Sequence, residues 1–171
     1  MNVPAKTRPE THMRPVAGGE VDVRGLERAL RESIEGEVRF SPGDRGLYSA
    51  TGANYRQVPI GVVIPRSADD VIATIAACRE HGAPILSRGG GTGLAGQTTN
   101  VAVVMDFSKY LNRIVEIDAE RKLARVEPGL ILDHLREAAE KEHQLTFGPD
   151  PSTHEYCTFG GMIASNSCGV R

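Results

Sequence analysis

Leu86-Ser87-Arg88-Gly89-Gly90-Gly91-Thr92-Gly93-Leu94-Ala95-Gly96-Gln97 is the stretch on which the fold turns. It follows a short apolar segment, Pro84 to Ser87, that reads as a strand. It contains G-x-G-x-x-G at Gly91, Gly93 and Gly96. A Rossmann site needs a crossover helix after those glycines. Only Gln97 to Asn100 separate Gly96 from the next apolar run, Val101 to Met105. A crossover takes at least about 10–12 residues, so the doubly wound reading fails. A P-loop fails as well, because no Gly-Lys-Ser/Thr follows. What survives is an anion nest, in which successive glycines let backbone N–H groups point into one concavity. Five glycines between residues 89 and 96 cost too much chain entropy for a plain turn. Arg88 is the only full charge between Gly82 and Met105, and it either pairs with a phosphate or braces the loop.

Upstream, Asp22 is placed to cap a short helix with Val23, Leu26, Leu30 and Ile34 on one face and Gly36 to stop it. Residues 40–59 read as irregular, with Pro42, Gly43, Gly46, Gly52 and Pro59. Ile60 to Ile64 reads as a strand. Ser67 is placed to cap a helix whose first turn carries Asp69 and Asp70, suited to the positive end of the dipole, and Gly82 ends it. Strand, helix, strand is a crossover unit. Downstream, Arg113 to Ile117 and Leu123 to Glu127 read as an antiparallel hairpin. A helix follows from near Gly129, with Leu132, Leu135, Ala138 and Ala139 along one face. A crossover unit beside antiparallel strands makes the fold class α+β.

From Thr146 onward the chain has almost no charge and much Gly, Pro, Ser and Thr. Pro149 and Pro151 stiffen its first part. Gly160-Gly161 before Met162-Ile163-Ala164 reads as the opening of a short helix, and Ser165, Asn166 and Ser167 supply uncharged hydrogen-bond groups. Apolar Phe147, Phe159, Met162 and Ile163 argue for burial rather than a surface loop.

The chain has 171 residues, 40% hydrophobic and 25% charged, which is a globular composition. A formal net charge of -2 gives no basic excess for a nucleic-acid partner. No apolar run approaches the roughly 20 residues of a membrane span. Met1 to Gly19 lacks the apolar core of a secretory signal and reads as a lead-in. Cys78, Cys157 and Cys168 form no CxxC pair and no Cys/His cluster at metal spacing. They read as buried thiols in a reducing, cytoplasmic compartment, and no metal site is expected.

The ordered set of motifs resembles a known family. Arg88-Gly89-Gly90-Gly91-Thr92-Gly93-Leu94-Ala95-Gly96, then Pro149-Asp150-Pro151-Ser152-Thr153, Gly160-Gly161 and Asn166-Ser167-Cys168-Gly169 occur in the same order in the FAD-binding domain of PCMH-type flavoproteins (vanillyl-alcohol oxidase, p-cresol methylhydroxylase). Val63-Ile64-Pro65-Arg66-Ser67 and Val126-Glu127-Pro128-Gly129 also fit. The branch it resembles is the FAD-linked D-2-hydroxyacid dehydrogenases, which include glycolate oxidase-like, D-lactate and D-2-hydroxyglutarate dehydrogenases. Asn54-Tyr55-Arg56-Gln57-Val58-Pro59 is similar to the large members with an iron–sulfur domain downstream. The resemblance spans roughly residues 40–171.

It implies a small βαβ lobe plus an antiparallel-strand lobe, C-terminally truncated. Residues 1–57 would be a lead-in with one short helix, and 58–171 an incomplete FAD-binding PCMH-type domain. The first loop would wrap the FAD pyrophosphate, assigning cofactor binding to Arg88, Gly89, Gly90, Gly91, Thr92, Gly93, Leu94 and Gln97. The second would run along the ribityl chain and flavin, assigning Pro149, Asp150, Thr153, Gly160, Gly161, Ser165, Asn166 and Gly169. Thr92 stands where some relatives carry a histidine linked to the flavin, so FAD is expected to be noncovalent. In the family, hydride passes from C2 of a D-2-hydroxy acid to flavin N5. The catalytic base, the substrate-binding arginines and any iron–sulfur cluster belong to downstream regions. No catalytic residue is therefore assigned here, and the chain alone is expected to bind FAD weakly or not at all and not to turn over substrate. Unpaired sheet edges would favour association. His81, His134 and His143 are expected at the surface, His12 has no assigned role, and His154 is a candidate to approach the flavin. The alternative is a non-catalytic FAD- or nucleotide-binding subunit completed by a partner chain. A nucleotide-phosphate enzyme sharing only the glycine loop is disfavoured, since no suitably placed Lys or carboxylate pair accompanies it.

Overall fold

The computed structural model describes residues 20–169. The lead-in to Gly19, His12 and the chain end at Arg171 lie outside them.

Helix α1 (Val23–Ser33) begins as expected, with the Asp22 carboxylate accepting from the Gly25 N–H. It buries Leu26 and Leu30 completely. It ends at Ser33, with Ile34 already extended, so Gly36 is not its stop. Gly36 serves a close approach instead: a Cβ there would lie 2.5 Å from the Ile64 carbonyl oxygen. Strand β1 (Glu37–Arg39) and helix α2 (Pro42–Leu47) occupy part of the stretch read as irregular. The correction has a local cause. β1 has three residues and one fully inward side chain, Val38, too little for a period-2 signal. α2 is one and a half turns long and carries Gly43 and Gly46, poor helix formers; Ser41 and Pro42 start it nonetheless.

Strand β2 (Gly61–Ile64) is buried along its whole length. Helix α3 (Ala68–Glu80) is capped by Ser67, whose hydroxyl accepts from the Asp70 N–H at 3.1 Å. Asp70 does more than face the dipole. It is 4% exposed, and its carboxylate accepts from the Arg66 and Glu35 amides at 2.8 and 2.9 Å. It thereby ties the start of α3 to the connection between α1 and β1. Strands β3 (Ile85–Arg88) and β4 (Val103–Asp106) complete a four-stranded sheet in the order β1-β2-β4-β3. β4 runs parallel to both β2 and β3, and β1 pairs antiparallel with β2. Parallel neighbours joined in sequence need a crossover, usually a helix. Between β3 and β4 the crossover is residues 89–102, which contain no helix and carry the first glycine loop.

The second lobe holds strands β5 (Ile114–Asp118) and β6 (Leu123–Val126), an antiparallel hairpin with a register shift between Ile114 and Glu116. Helix α4 (Leu132–His143) and the short helix α5 (Phe159–Ala164) follow. Leu130, Leu132, Leu135, Phe159 and Met162 form the core of this lobe, with Ile114, Ile117 and Val126 packed against it. The βαβ-type sheet and the antiparallel hairpin make the expected α+β architecture. Cys78 and Cys157 are buried, and burial pushes both thiols up, Cys78 to about 11. Cys168 is exposed, contrary to expectation, because it follows α5 in an unpaired coil segment.

Candidate functional site

β3 delivers Arg88 to the mouth of the first loop. Its guanidinium donates to the carbonyls of Tyr48 (3.2 Å) and Ala50 (3.1 Å) and lies 5.1 Å from the centre of the Tyr48 ring. Tyr48 in turn donates its hydroxyl to Asp106 Oδ2 at 2.7 Å. Burial, then the Asp106 carboxylate, pushes that phenol well above its ordinary range. Asp106 Oδ1 accepts from the amide and hydroxyl of Ser108. Of the two roles open to Arg88, these contacts serve bracing. Gly52 adds a donor to the Gly91 carbonyl at 3.2 Å, so residues 48–52 hold the loop from beneath.

The loop itself is unusual in what it leaves unmade. Among the described residues, no backbone N–H from Gly89 to Thr98 donates to a main-chain carbonyl. Gly91 (φ 65°) and Gly96 (φ 81°) take the left-handed conformation that sets the turns.

The second loop is the opposite case, bonded within itself. The amides of His154, Tyr156 and Cys157 donate to the Pro151 and Thr153 carbonyls. Arg136, on α4, fastens its entrance: it donates to Asp150 Oδ1 (2.7 Å), to the Pro149 carbonyl (3.0 Å) and to the Phe147 carbonyl (3.3 Å). His154 Nδ1 lies 2.6 Å from Asp133 Oδ2, also on α4. That hydrogen bond, and then the charge of Asp133, raises the His154 pKa. The ring is engaged with α4 and is not part of the cleft lining.

The two loops meet face to face. A Cβ on Gly89 would lie 1.9 Å from Thr158 Oγ1, and one on Gly90 2.1 Å from the Tyr156 carbonyl oxygen. Glycine at these two positions is thus demanded first by the opposite loop. Between the loops runs a cleft of about 700 Å³. It is lined by Arg88, Gly89, Gly90, Gly91, Thr92, Gly93 and Gln97 from the first loop, and by Thr153, Gly160, Gly161 and Ser165 from the second. Leu94, Pro149, Asp150, Asn166 and Gly169 are not in the lining. Leu94 is 74% exposed, Pro149 and Asp150 are held by Arg136, and Gly169 packs against the Asp150 backbone. Thr98, Phe107, Pro128, Cys157, Thr158 and Met162 line the cleft without having been assigned to cofactor binding, as do Ser87, Ala164 and Ser167. Thr98 and Thr158 were legible in principle, as hydroxyls flanking the glycine runs.

Arg88 is the one charged side chain in the lining. Among the described residues no group of three or more His, Cys, Asp or Glu is placed to hold a metal ion. The hydroxyls of Thr98 and Thr158 are buried without a hydrogen-bond partner. Open amides, orphan hydroxyls and apolar walls from Phe107, Pro128 and Met162 fit a long ligand that carries an anionic group between flat or polar stretches. The FAD implied by the resemblance has that chemistry.

The sequence matches the family described as FAD binding domain over residues 59–171. It is 37% identical over 147 residues to D-2-hydroxyglutarate dehydrogenase of Escherichia coli (strain K12), covering 84% of this chain and 14% of the relative. It is 42% identical over 145 residues to glycolate oxidase subunit GlcD of Bacillus subtilis (strain 168), covering 81% of this chain and 30% of the relative. In structure it superposes on p-cresol methylhydroxylase with substrate bound at a TM-score of 0.75 and 19% identity, over 85% of this chain and 30% of that one. That likeness carries the fold. The chain spans less than a third of the length of each of these proteins.

Proposed function

The chain belongs to the FAD binding domain family, and on that premise we propose that it is the cofactor-holding part of a flavin-dependent oxidoreductase acting on a D-2-hydroxy acid. The observation that supports the reading is the first loop, whose free amides from Gly89 to Thr98 border the cleft. Gly89, Gly90, Gly91, Thr92 and Gly93 would hold the diphosphate, with Gln97 beside them and Arg88 bracing from below. Thr153, Gly160, Gly161 and Ser165 would border the polar chain and the ring. Leu94, Pro149, Asp150, Asn166 and Gly169 would act at one remove, by shaping the loops. Bound FAD would supply the electron acceptor for oxidation of the substrate; the residues here bind, orient and shield it. Thr92 offers no nucleophilic nitrogen, so attachment would be noncovalent. The holding unit is residues 58–171, with α1 and β1 packed onto its sheet. The 2-hydroxy acid is proposed from the named activities of the two relatives. Three free cysteines support a reducing cytoplasm. Among the described residues no helix is long and apolar enough to cross a membrane. A second reading, a nucleotide-binding subunit completed by another chain, is favoured by the relative named as a subunit.

The test is a flavin-fluorescence titration of the purified chain with FAD and with FMN. Saturable binding is expected, weak but tighter for FAD, and flavin should leave the protein on denaturation. Equal affinity for both would sink the reading; if this chain binds neither, a longer chain carrying the downstream domains is titrated in the same way, and its failure to bind FAD would sink it.

A further inference from the structure

Helix α3 presents apolar side chains to solvent as well as to the core. Its inner face is set by its buried residues, Asp70, Thr74, Ala77 and Cys78. At about 3.6 residues per turn, the opposite side carries Ala68, Ile72, Ile75, Ala76 and Arg79, all of them exposed. Ile72 is 65% and Ile75 48% exposed. Two isoleucines one turn apart, with alanines beside them, make a contiguous apolar strip. The cleft does not use it, because no residue of α3 is in the cleft lining. Charges mark the ends of the strip, Asp69 in the first turn of the helix and Arg79 in the last. Among the described residues neither of these side chains has an ion-pair partner.

This charge pattern is complementary to itself. Asp69 and Arg79 each lie five positions from Thr74. When two α3 helices pair antiparallel about a two-fold axis at the level of Thr74, each Asp69 falls opposite Arg79 of the second copy. Each Ile72 then meets Ala76 of the second copy, a large side chain against a small one, with Ile75 alongside. Parallel pairing would instead set Asp69 against Asp69 and Arg79 against Arg79. Antiparallel pairing also opposes the two helix dipoles. An acidic membrane surface is a poorer occupant, since the one cation of the strip, Arg79, sits beside Asp69 and Glu80.

We propose that the outer face of α3 is a self-association surface, on which two copies of the chain pair antiparallel through Ile72, Ile75 and Ala76, with Asp69 and Arg79 closing the ends. The contact is isologous and small, so the dimer is weak and depends on protein concentration. It is independent of what the cleft binds.

Sedimentation equilibrium of the 171-residue chain over a wide concentration range is the experiment, with a thermal melt of each variant. A reversible monomer–dimer equilibrium is expected. Ile72→Gln with Ile75→Gln should weaken it at least about tenfold. The melting temperature of the monomer should hold, because both side chains are exposed and glutamine is a good helix former. Asp69→Arg and Arg79→Asp should each weaken the dimer, since each sets like charges opposite one another. An equimolar mixture of those two variants should dimerise again, because opposite charges then face across the pair. If Asp69→Arg does not fold, Arg79→Glu and the glutamine pair make the comparison. FAD titrations of wild type and the glutamine pair should coincide. A monomer at every concentration overturns the proposal and leaves the face to a different protein. A dimer that survives the glutamine pair, or a mixture of folded charge variants that stays monomeric, overturns it too and places association elsewhere, such as at a sheet edge.

Discussion

Gly89 and Gly148 show how differently two glycines of one composition can be used. A Cβ at 89 would strike the Thr158 hydroxyl, whereas one at 148 would meet nothing within 4 Å. Gly89→Ala should therefore destabilise by about 2 kcal/mol through overpacking. Gly148→Ala should be neutral or stabilise by up to about 1 kcal/mol, by restricting the unfolded chain. Urea melts of the two variants check this, and equal losses would contradict it. The glycine cluster was legible in the sequence as a place where backbone approaches something. Its first partner is the other loop, which lies more than 60 positions away, and no local pattern encodes that. Arg88 has the same lesson. Its charge left a phosphate partner and a brace both open, and the Tyr48 and Ala50 carbonyls that its guanidinium meets, which serve bracing, lie on a segment whose sequence read only as irregular.

At the scale of elements, helix α4 is the fastener of the second loop. Its periodic Leu132, Leu135 and Ala139 identified it in the sequence, and they fill the lobe's core. Its polar face could not be assigned, because Arg136 meets its partners only after the chain has turned back on itself. That side chain is 13% exposed and serves three acceptors in the loop. Arg136→Ala should cost about 2 kcal/mol, since it removes the donor shared by the Asp150 carboxylate and the Phe147 and Pro149 carbonyls, and it should weaken FAD binding in parallel. His154 with Asp133 is the second fastener. Because the folded pKa of His154 is raised, its contribution is complete below the ordinary value of 6.5 and fades as pH rises through the folded value. An NMR titration of the His154 ring should give a midpoint above 6.5 that returns toward it in Asp133→Asn; an unshifted midpoint in wild type would contradict the contact.

For the whole molecule, the edge strand β1 depends on a network far from the cleft. Glu37 accepts from Lys109 Nζ and from the Tyr110 hydroxyl, each at 2.5 Å, and pairs with Arg39. The Lys109 bond first, then Tyr110, hold its carboxyl down from 4.5 to about 2. A depressed folded value means stability that is complete above 4.5 and lost as pH falls toward 2. Melting temperatures from pH 7 to 2 should show Glu37→Gln below wild type at neutral pH, with the gap closing in acid; a constant gap would rule the network out as a source of acid sensitivity. Burial runs and helix starts were readable because they are local: β2 and β4 as apolar segments, α1 and α3 from Asp22 and Ser67, the hairpin from two strand-like runs separated by only a few residues. The order of motifs along the chain sufficed for the family. The rest waited for tertiary structure, because it consists of contacts between residues distant in sequence: β4 inserted between β2 and β3, β1 recruited by pairing to β2, and the two glycine loops closed on each other at Thr158. A sequence displays what each residue prefers from its neighbours in the chain. Which amides and hydroxyls are left without a partner, and so face a ligand, depends on where every other acceptor comes to rest.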